Sequence, residues 1–547
     1  MISQKLVVSH IVGSPSTGSR GIYTAISMTA LRYSRMTIPS SLCLSRYLNQ
    51  NVMTEESSSL PFPSPISFSR YRIWFLVLMV LLEFNFLFPA GSKENLSKKY
   101  INSFYVYLDY QVVWRDTVNK PLRSVSMLLS FQIKNNRSVL DLTLPMTYAE
   151  KKAPNGYKQM ELLPFLEEGA VRAIPCLAIY GANASGKSNI VKAFASLIRI
   201  IKDRYNPKDI SPNKLHPHND ITSFALEFLK NGRRFLYSLE VDGMEIVDER
   251  LVENSEIVFS IANRTTSFTA LATEVYPSKK LDTIFSVECL DQQRLFRIPF
   301  LSVVGKNYAG LNDSMTVAYG FITNNLEVYP SNNFPFSFGL DRLANTNSDI
   351  DTQRAFDDIV TILRKLDIDI TRMEYKRDEL GKEVKAFPGS QYEVSISNKM
   401  VTATEINSYH EDVLGNEVQF NFREESLGTQ RVACLLGIVL TALRKGNILV
   451  IDELGNSLHP YLFAEIVRMF KDKRYNISNA QLIFITHNTD IMDQDMMRVS
   501  EIGIVNRTLK RGTVFKRVSD FEGVRNVTNF RKQYLDGTFS GIPHSYI

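Results

Sequence analysis

CLAIYGANASGKSNIVKAF, residues 176–194, is the stretch around which the rest of the chain can be ordered. Cys176–Ile179 are apolar and predict a buried strand, Gly181–Ser188 match G-x-x-x-x-G-K-S, and Asn189–Arg199 predict a helix. Strand, loop and helix in this order build a phosphate-binding loop. A triphosphate is best held by a ring of backbone N–H groups at a helix N-terminus, which Gly181, Ala182, Asn183, Ala184, Ser185 and Gly186 would supply. Lys187 would reach the β- and γ-phosphates as a point charge, and the Ser188 hydroxyl would ligate Mg²⁺. ATP and Mg²⁺ are the ligands this pattern asks for.

The 547 residues allow about three domains by length alone. A net charge of +6 argues against both a nucleic-acid sponge and an acidic tail. Cys43, Cys176, Cys289 and Cys434 are scattered without a C-x-x-C pair, so neither a disulfide framework nor a zinc site is indicated. A reducing, cytoplasmic compartment is the expectation.

The N-terminal part differs in composition. No acidic residue precedes Glu55, and residues 54–69 are a Ser/Pro-rich linker. Ile73–Phe88, followed by Pro89, is apolar apart from Glu83 and Asn85. It is shorter than the about 20 residues a bilayer span needs, so a buried or non-native segment is preferred to a membrane anchor. Ordered alternation begins with MLLSFQIKNNRSVLDLTLPM, which predicts a hairpin. Residues 1–126 are therefore expected to be an extension and 127–547 the folded body.

Beyond the loop, Phe224–Phe228 and Phe235–Val241 predict two antiparallel strands, and residues 351–366 an amphipathic helix. No heptad pattern is sustained, so a compact lid over about 245–400 is expected instead of coiled-coil arms.

About 240 residues after the loop comes FREESLGTQRVACLLGIVLTALRKGNILVIDELGNSLHP. Ile448–Ile451 predict a buried strand ending in Asp452, suited to Mg²⁺, and Glu453, suited to polarise the attacking water. Leu482–Ile485 predict another, ending at Thr486-His487-Asn488, which would bring His487 to the γ-phosphate. Ser426, Gly428 and Gln430 precede an apolar helix read as Val432–Leu443, where a helix N-terminus could meet a phosphate; an ordinary Ser N-cap is the alternative.

GANASGKS, ESLGTQR, ILVIDE, NSLHP and FITHN, in this order and spacing, resemble the ABC/SMC-like ATPase head. The resemblance extends to the bacterial AAA-type members of anti-phage defence, including RloA-like proteins and Septu- and retron-associated ATPases, and it covers residues 127–547. It implies an α/β P-loop NTPase of RecF-like head type, with a mixed sheet flanked by helices. Lys187, Glu453 and His487 would be catalytic, and Ser188 and Asp452 would hold metal. Ser426, Gly428 and Gln430 would face nucleotide on a second subunit, and Ser457 with His459 would form the dimer-facing loop. The signature reads SLGTQ, without the two central glycines of transporters. The resemblance implies a homodimer that controls a separate nuclease or toxin, with a reverse transcriptase and its nucleic acid as further partners. A DNA-maintenance ATPase of RecF or SMC kind is the alternative. Only 60 residues follow His487, so a nuclease in the same chain is not expected.

Overall fold

The computed structural model describes residues 126–541 apart from 150–171, 217–219, 311, 331–339, 341–348, 381–392, 398–399, 456–457, 494, 509 and 525–528. The chain divides into two units, residues 1–119 and 120–547, and all that is described belongs to the second. The stretch 73–89 lies outside the described residues.

In chain order the strands are β1 (Ser126–Asn136), β2 (Val139–Pro145), β3 (Cys176–Gly181), β4 (Thr222–Lys230), β5 (Arg233–Val241), β6 (Ile246–Glu253), β7 (Glu256–Ala262), β8 (Thr265–Phe268), β9 (Leu326–Tyr329), β10 (Arg372–Leu380), β11 (Glu393–Ser397), β12 (Met400–Glu411), β13 (Glu417–Asn421), β14 (Ile448–Ile451), β15 (Gln481–Ile485), β16 (Ile502–Thr508) and β17 (Gly512–Arg517). The helices are α1 (Lys187–Lys202), α2 (Ser278–Ile284), α3 (Phe300–Asn307), α4 (Asp313–Gly320), α5 (Asp349–Arg364), α6 (Leu427–Lys445), α7 (Pro460–Lys471) and α8 (Phe530–Leu535).

β3, β14 and β15 are short apolar runs with every residue buried. Such runs suit parallel strands covered on both faces. β15 accordingly lies between β3 and β14, parallel to both, with β16 on the far side of β3 and β9 on the far side of β14. Strand alternation then divides the side chains between two layers. Leu177, Ile179, Val450 and Ile483 pack with Ile190, Phe194 and Leu197 of α1. Ala178, Tyr180, Leu449 and Phe484 pack on the other face with Leu436 and Leu440 of α6 and Phe463 of α7. This is the expected α/β architecture, a mixed sheet flanked by helices.

Past β16 the sheet turns antiparallel, in the thirteen-strand order β8-β7-β6-β5-β4-β1-β2-β17-β16-β3-β15-β14-β9. The expected β1–β2 and β4–β5 hairpins both form within it. The stretch read as one lid, about 245–400, instead divides between two places. β6–β8 prolong the main sheet, α2–α4 return the chain, and β9 joins the opposite edge beside β14. β10–β12, together with β13, form a separate four-stranded sheet. The strand IVDERLVE (Ile246–Glu253) hides its alternation because a charged residue, Glu249, occupies an inward position.

Glu249 is fully buried and serves as a remote cap for α3. Its carboxylate accepts the Phe300 N–H at 2.6 Å, the Leu301 N–H at 3.0 Å and the Tyr237 hydroxyl at 3.0 Å. Burial pushes its pKa up to about 7, against the lowering effect of those three bonds. A folded-state value above the unfolded one favours the native state below the unfolded pKa, and that stability is lost as pH rises through the folded pKa. Between about pH 4.5 and about pH 7 the thermal midpoint of the wild type should therefore fall relative to Glu249→Gln, which cannot titrate. A difference between the two proteins that stays constant across this range would contradict the assignment.

Candidate functional site

The phosphate loop leaves the C-terminal end of β3, where Gly181 pairs with Val505 of β16. A Cβ at Gly181 would overlap the Val505 carbonyl oxygen, and Gly186 has φ +101, a conformation that L side chains rarely adopt. The underside of the loop is built by residues distant in sequence. Thr513 Oγ1 donates to the Ser185 carbonyl at 3.0 Å, Ser138 Oγ lies 2.7 Å from Thr513 Oγ1, and Asn189 Nδ2 donates to Ser138 Oγ at 2.7 Å. Ser138 comes from the β1–β2 turn and Thr513 from β17, which meet where Val139 pairs with Gly512. Sequence reasoning missed Ser138 and Thr513, since no local pattern marks a hydroxyl that supports a loop 51 residues away, as for Ser138, or 328 residues away, as for Thr513. Ala182 is half-buried, Asn183 and Ala184 are exposed, and Ser185 is buried.

Lys187 lies at the start of α1, buried, with Nζ donating to the carbonyls of Gly181 at 2.7 Å and Ala182 at 2.8 Å. Burial lowers its pKa, while Asp452 and Glu453 raise it. Those two acids follow β14 directly. Burial raises the Asp452 pKa, and a side-chain hydrogen bond with Ser188 opposes this. Glu453 is exposed and has φ +59. A left-handed backbone at a non-glycine residue is uncommon and concentrates at functional positions.

His487 follows β15, the neighbour of both β3 and β14, so the parallel strands deliver the loop, the acids and the histidine to one end of the sheet. Its pKa is lowered by burial and by Lys187, with Glu453 and Asp452 acting in the opposite sense. Lys187, Asp452, Glu453 and His487 therefore share one electrostatic neighbourhood, as their spacing in the sequence led one to expect.

Mg²⁺ fits the residues present. Asp452 Oδ1 is buried without a protein hydrogen-bond partner, and the same side chain is bonded to Ser188. Among the described residues no group of three or more His, Cys, Asp or Glu is arranged to hold a metal. A nucleotide-bound Mg²⁺ does not need one, because it takes one or two carboxylates and completes its shell with phosphates and water.

The other expected nucleotide contacts sit at the start of α6. Ser426 is its N-cap, with Oγ accepting the Thr429 N–H at 3.0 Å. The helix starts five residues before the apolar run that announced it, because this cap stabilises an extra turn. Gly428 has open space beside it, with Ser426 Oγ alone within reach of an added Cβ. Gln430 is buried, and its Nε2 donates to the carbonyls of Arg423 at 3.0 Å and Glu425 at 2.7 Å. Gln430 thus holds the turn that presents Ser426. His459 caps α7, with Nδ1 accepting the Tyr461 N–H at 3.2 Å. Ser457 lies outside the described residues.

Residues 176–493 match the family described as "AAA domain, putative AbiEii toxin, Type IV TA system". Among solved structures, the SMC head domain from Thermotoga maritima is 14% identical, with 71% of this chain and 98% of that chain covered, at a TM-score of 0.32. The recombination mediator protein RecF with ATP, of the RecFOR pathway, is 11% identical, with 67% and 95% covered, at 0.29. The Smc head domain with an extended coiled coil, bound to the C-terminal domain of ScpA, from Pyrococcus furiosus is 11% identical, with 72% and 97% covered, at 0.32. No curated protein matches the chain. With a phosphate loop, two acids and a histidine at the ends of adjacent parallel strands, and more than half its length matched, the chain belongs to this AAA family of ABC/SMC-like ATPases.

Proposed function

We propose that the protein hydrolyses ATP between two copies of itself, and that this cycle regulates a separate nuclease or toxin in an anti-phage system. The observation that carries the first part is the convergence of Lys187, Ser188, Asp452, Glu453 and His487 at one end of the sheet. Lys187 exchanges the Gly181 and Ala182 carbonyls for β- and γ-phosphate oxygens. Ser188 and Asp452 hold Mg²⁺, which when bound neutralises charge on those oxygens. Glu453 orients the attacking water and accepts its proton. His487, its pKa below the usual imidazole range, stays neutral near pH 7 and hydrogen-bonds the γ-phosphate.

Ser426 and Gly428 bond within their own turn or face open space, and not the phosphate loop of the same chain. That supports a role in trans, with each signature turn completing the pocket of the other copy. Lys187→Ala and Ser426→Arg should each be inactive alone. An equal mixture should recover about a quarter of the wild-type rate, since half the dimers are mixed and each contains one intact composite pocket. Silence on mixing, with pairing shown by crosslinking, would overturn the dimeric mechanism.

The regulatory role is supported by membership of a family whose description names a toxin system. It is tested by deleting the gene and scoring phage resistance: unchanged plating would sink it. The exposed cations Arg507, Lys510 and Arg511 at the β16–β17 turn favour a second reading, an ATPase of DNA maintenance. Arg517 does not join them, since it pairs with Asp520 and donates to the Thr147 carbonyl at 2.8 Å. DNA-stimulated hydrolysis falling steeply with salt would support this second reading. We assign the protein to the cytoplasm. Among the described residues α6 is long and apolar enough to cross a bilayer, but it is a largely buried core helix.

A further inference from the structure

The last described residues, Asn529–Gly541, return to the nucleotide site from the far end of the chain. Phe530, Tyr534 and Phe539 are buried in the same core layer as Tyr180, and the Tyr180 and Tyr534 rings lie 5.7 Å apart. The Tyr534 hydroxyl donates to the Gly541 carbonyl at 3.2 Å, and its pKa is raised by burial and lowered by the nearby Gly181 backbone. Gly541 has φ +82 and packs so closely that an added Cβ would lie 2.7 Å from Ile504 Cγ2 and 3.6 Å from the Cα of Gly181. This segment thus lies so close to β16 and the phosphate loop that no side chain would fit freely at Gly541.

The same segment reaches the loop that carries His487. Arg531 Nε donates to Thr489 Oγ1 at 3.1 Å, and its guanidinium lies 3.3 Å from Asp490 Oδ1. Tyr180 donates to the Asn488 carbonyl at 3.0 Å, so the ring that packs beside Tyr534 also holds this loop. Both members of the Arg531–Asp490 pair are about half exposed, and ion pairs of that kind contribute little to stability. Positioning is a better account of Arg531 than stability.

We propose that the C-terminal segment is a built-in brace of the nucleotide site, in which Tyr534 holds Gly541 against the first glycine of the phosphate loop and Arg531 fixes the loop bearing His487. Tyr534 and Arg531 are then positioning residues for ATP turnover. The proposal rests on the reading of this site as ATP-hydrolysing. Its energetic logic is that a reacting group displaced by a fraction of an ångström loses rate while leaving ground-state binding nearly intact.

The test uses the full chain with Arg531→Gln, Arg531→Lys, Tyr534→Phe and wild type. Binding of Mg·ATPγS is measured by calorimetry, kcat and KM with ATP, and the thermal midpoint in parallel. Arg531→Gln should lower kcat about tenfold with nucleotide Kd within about twofold and an unchanged midpoint, and Arg531→Lys should recover part of the loss. Tyr534→Phe, which keeps the ring, should weaken binding about threefold to tenfold. Wild-type kcat and Kd in both Arg531→Gln and Tyr534→Phe would overturn the brace while leaving the ATPase reading intact. Should Tyr534→Phe fail to fold, Arg531→Gln decides. A wild type that binds no nucleotide overturns the ATPase reading, and the brace falls with it.

Discussion

Glu453→Gln should reduce ATP turnover by about 10²- to 10⁴-fold while ATP still binds. The substitution keeps length and shape and removes the negative charge together with the ability to accept a proton. Glu453 stands at the end of β14, one residue past Asp452, with its backbone in the left-handed region at φ +59. Holding a non-glycine residue there costs about 1 kcal/mol or more, so the surrounding structure must enforce it, as it does where a side chain has to be aimed. The side chain is exposed and charges the surroundings of Lys187, Asp452 and His487 without being buried among them. In the proposed mechanism that carboxylate would stand beside the γ-phosphate, in reach of water. Single-turnover hydrolysis and Mg·ATPγS binding measured on the same preparation separate chemistry from binding. A loss of less than about tenfold would mean that another group accepts the proton.

The largest effect on stability should come from a buried ion pair remote from the phosphates. Lys471, the last residue of α7, contacts Glu501, with side chains 5% and 0% exposed. Lys471 Nζ also donates to the Met496 carbonyl at 2.6 Å. Glu501 accepts the Tyr148 hydroxyl at 2.8 Å and the Arg498 N–H at 2.7 Å. The pair thus joins the helix covering β15 to the turn before β16 and to the chain just past β2. Two desolvated charges are tolerated because each satisfies the other, so removing one leaves the other buried without compensation. Lys471→Met and Glu501→Gln should each destabilise the protein by about 3–5 kcal/mol, and Lys471→Met with Glu501→Leu by less than either alone. Denaturant unfolding of the four proteins checks this, and single variants that cost under about 1 kcal/mol would show that water reaches the pair.

Chemistry carried by contiguous residues was legible before any coordinates. A phosphate loop is built by its own backbone, so GANASGKS announces strand, turn and helix together, and all three form where expected. ILVIDE and FITHN read the same way, because a short apolar run bounded by polar residues suits a strand covered on both faces, whose last residues emerge at the sheet's end. That β15 lies between β14 and β3 is shown by the tertiary structure.

Long-range pairing was decided by tertiary structure alone. Nothing near Glu249 says that its carboxylate will cap a helix some 50 residues on, and so β6 was drawn inside a single lid. Ser138 and Thr513 meet beneath the phosphate loop although 375 residues separate them, and Gly541, bonded to Tyr534, arrives beside Gly181 from a distant part of the chain. A hydroxyl or a tyrosine looks the same in a sequence whether it faces water or supports an active site. Local sequence carries the geometry of a motif, whereas which distant groups brace it depends on how the sheet brings its strands together, and that is a property of the packed whole.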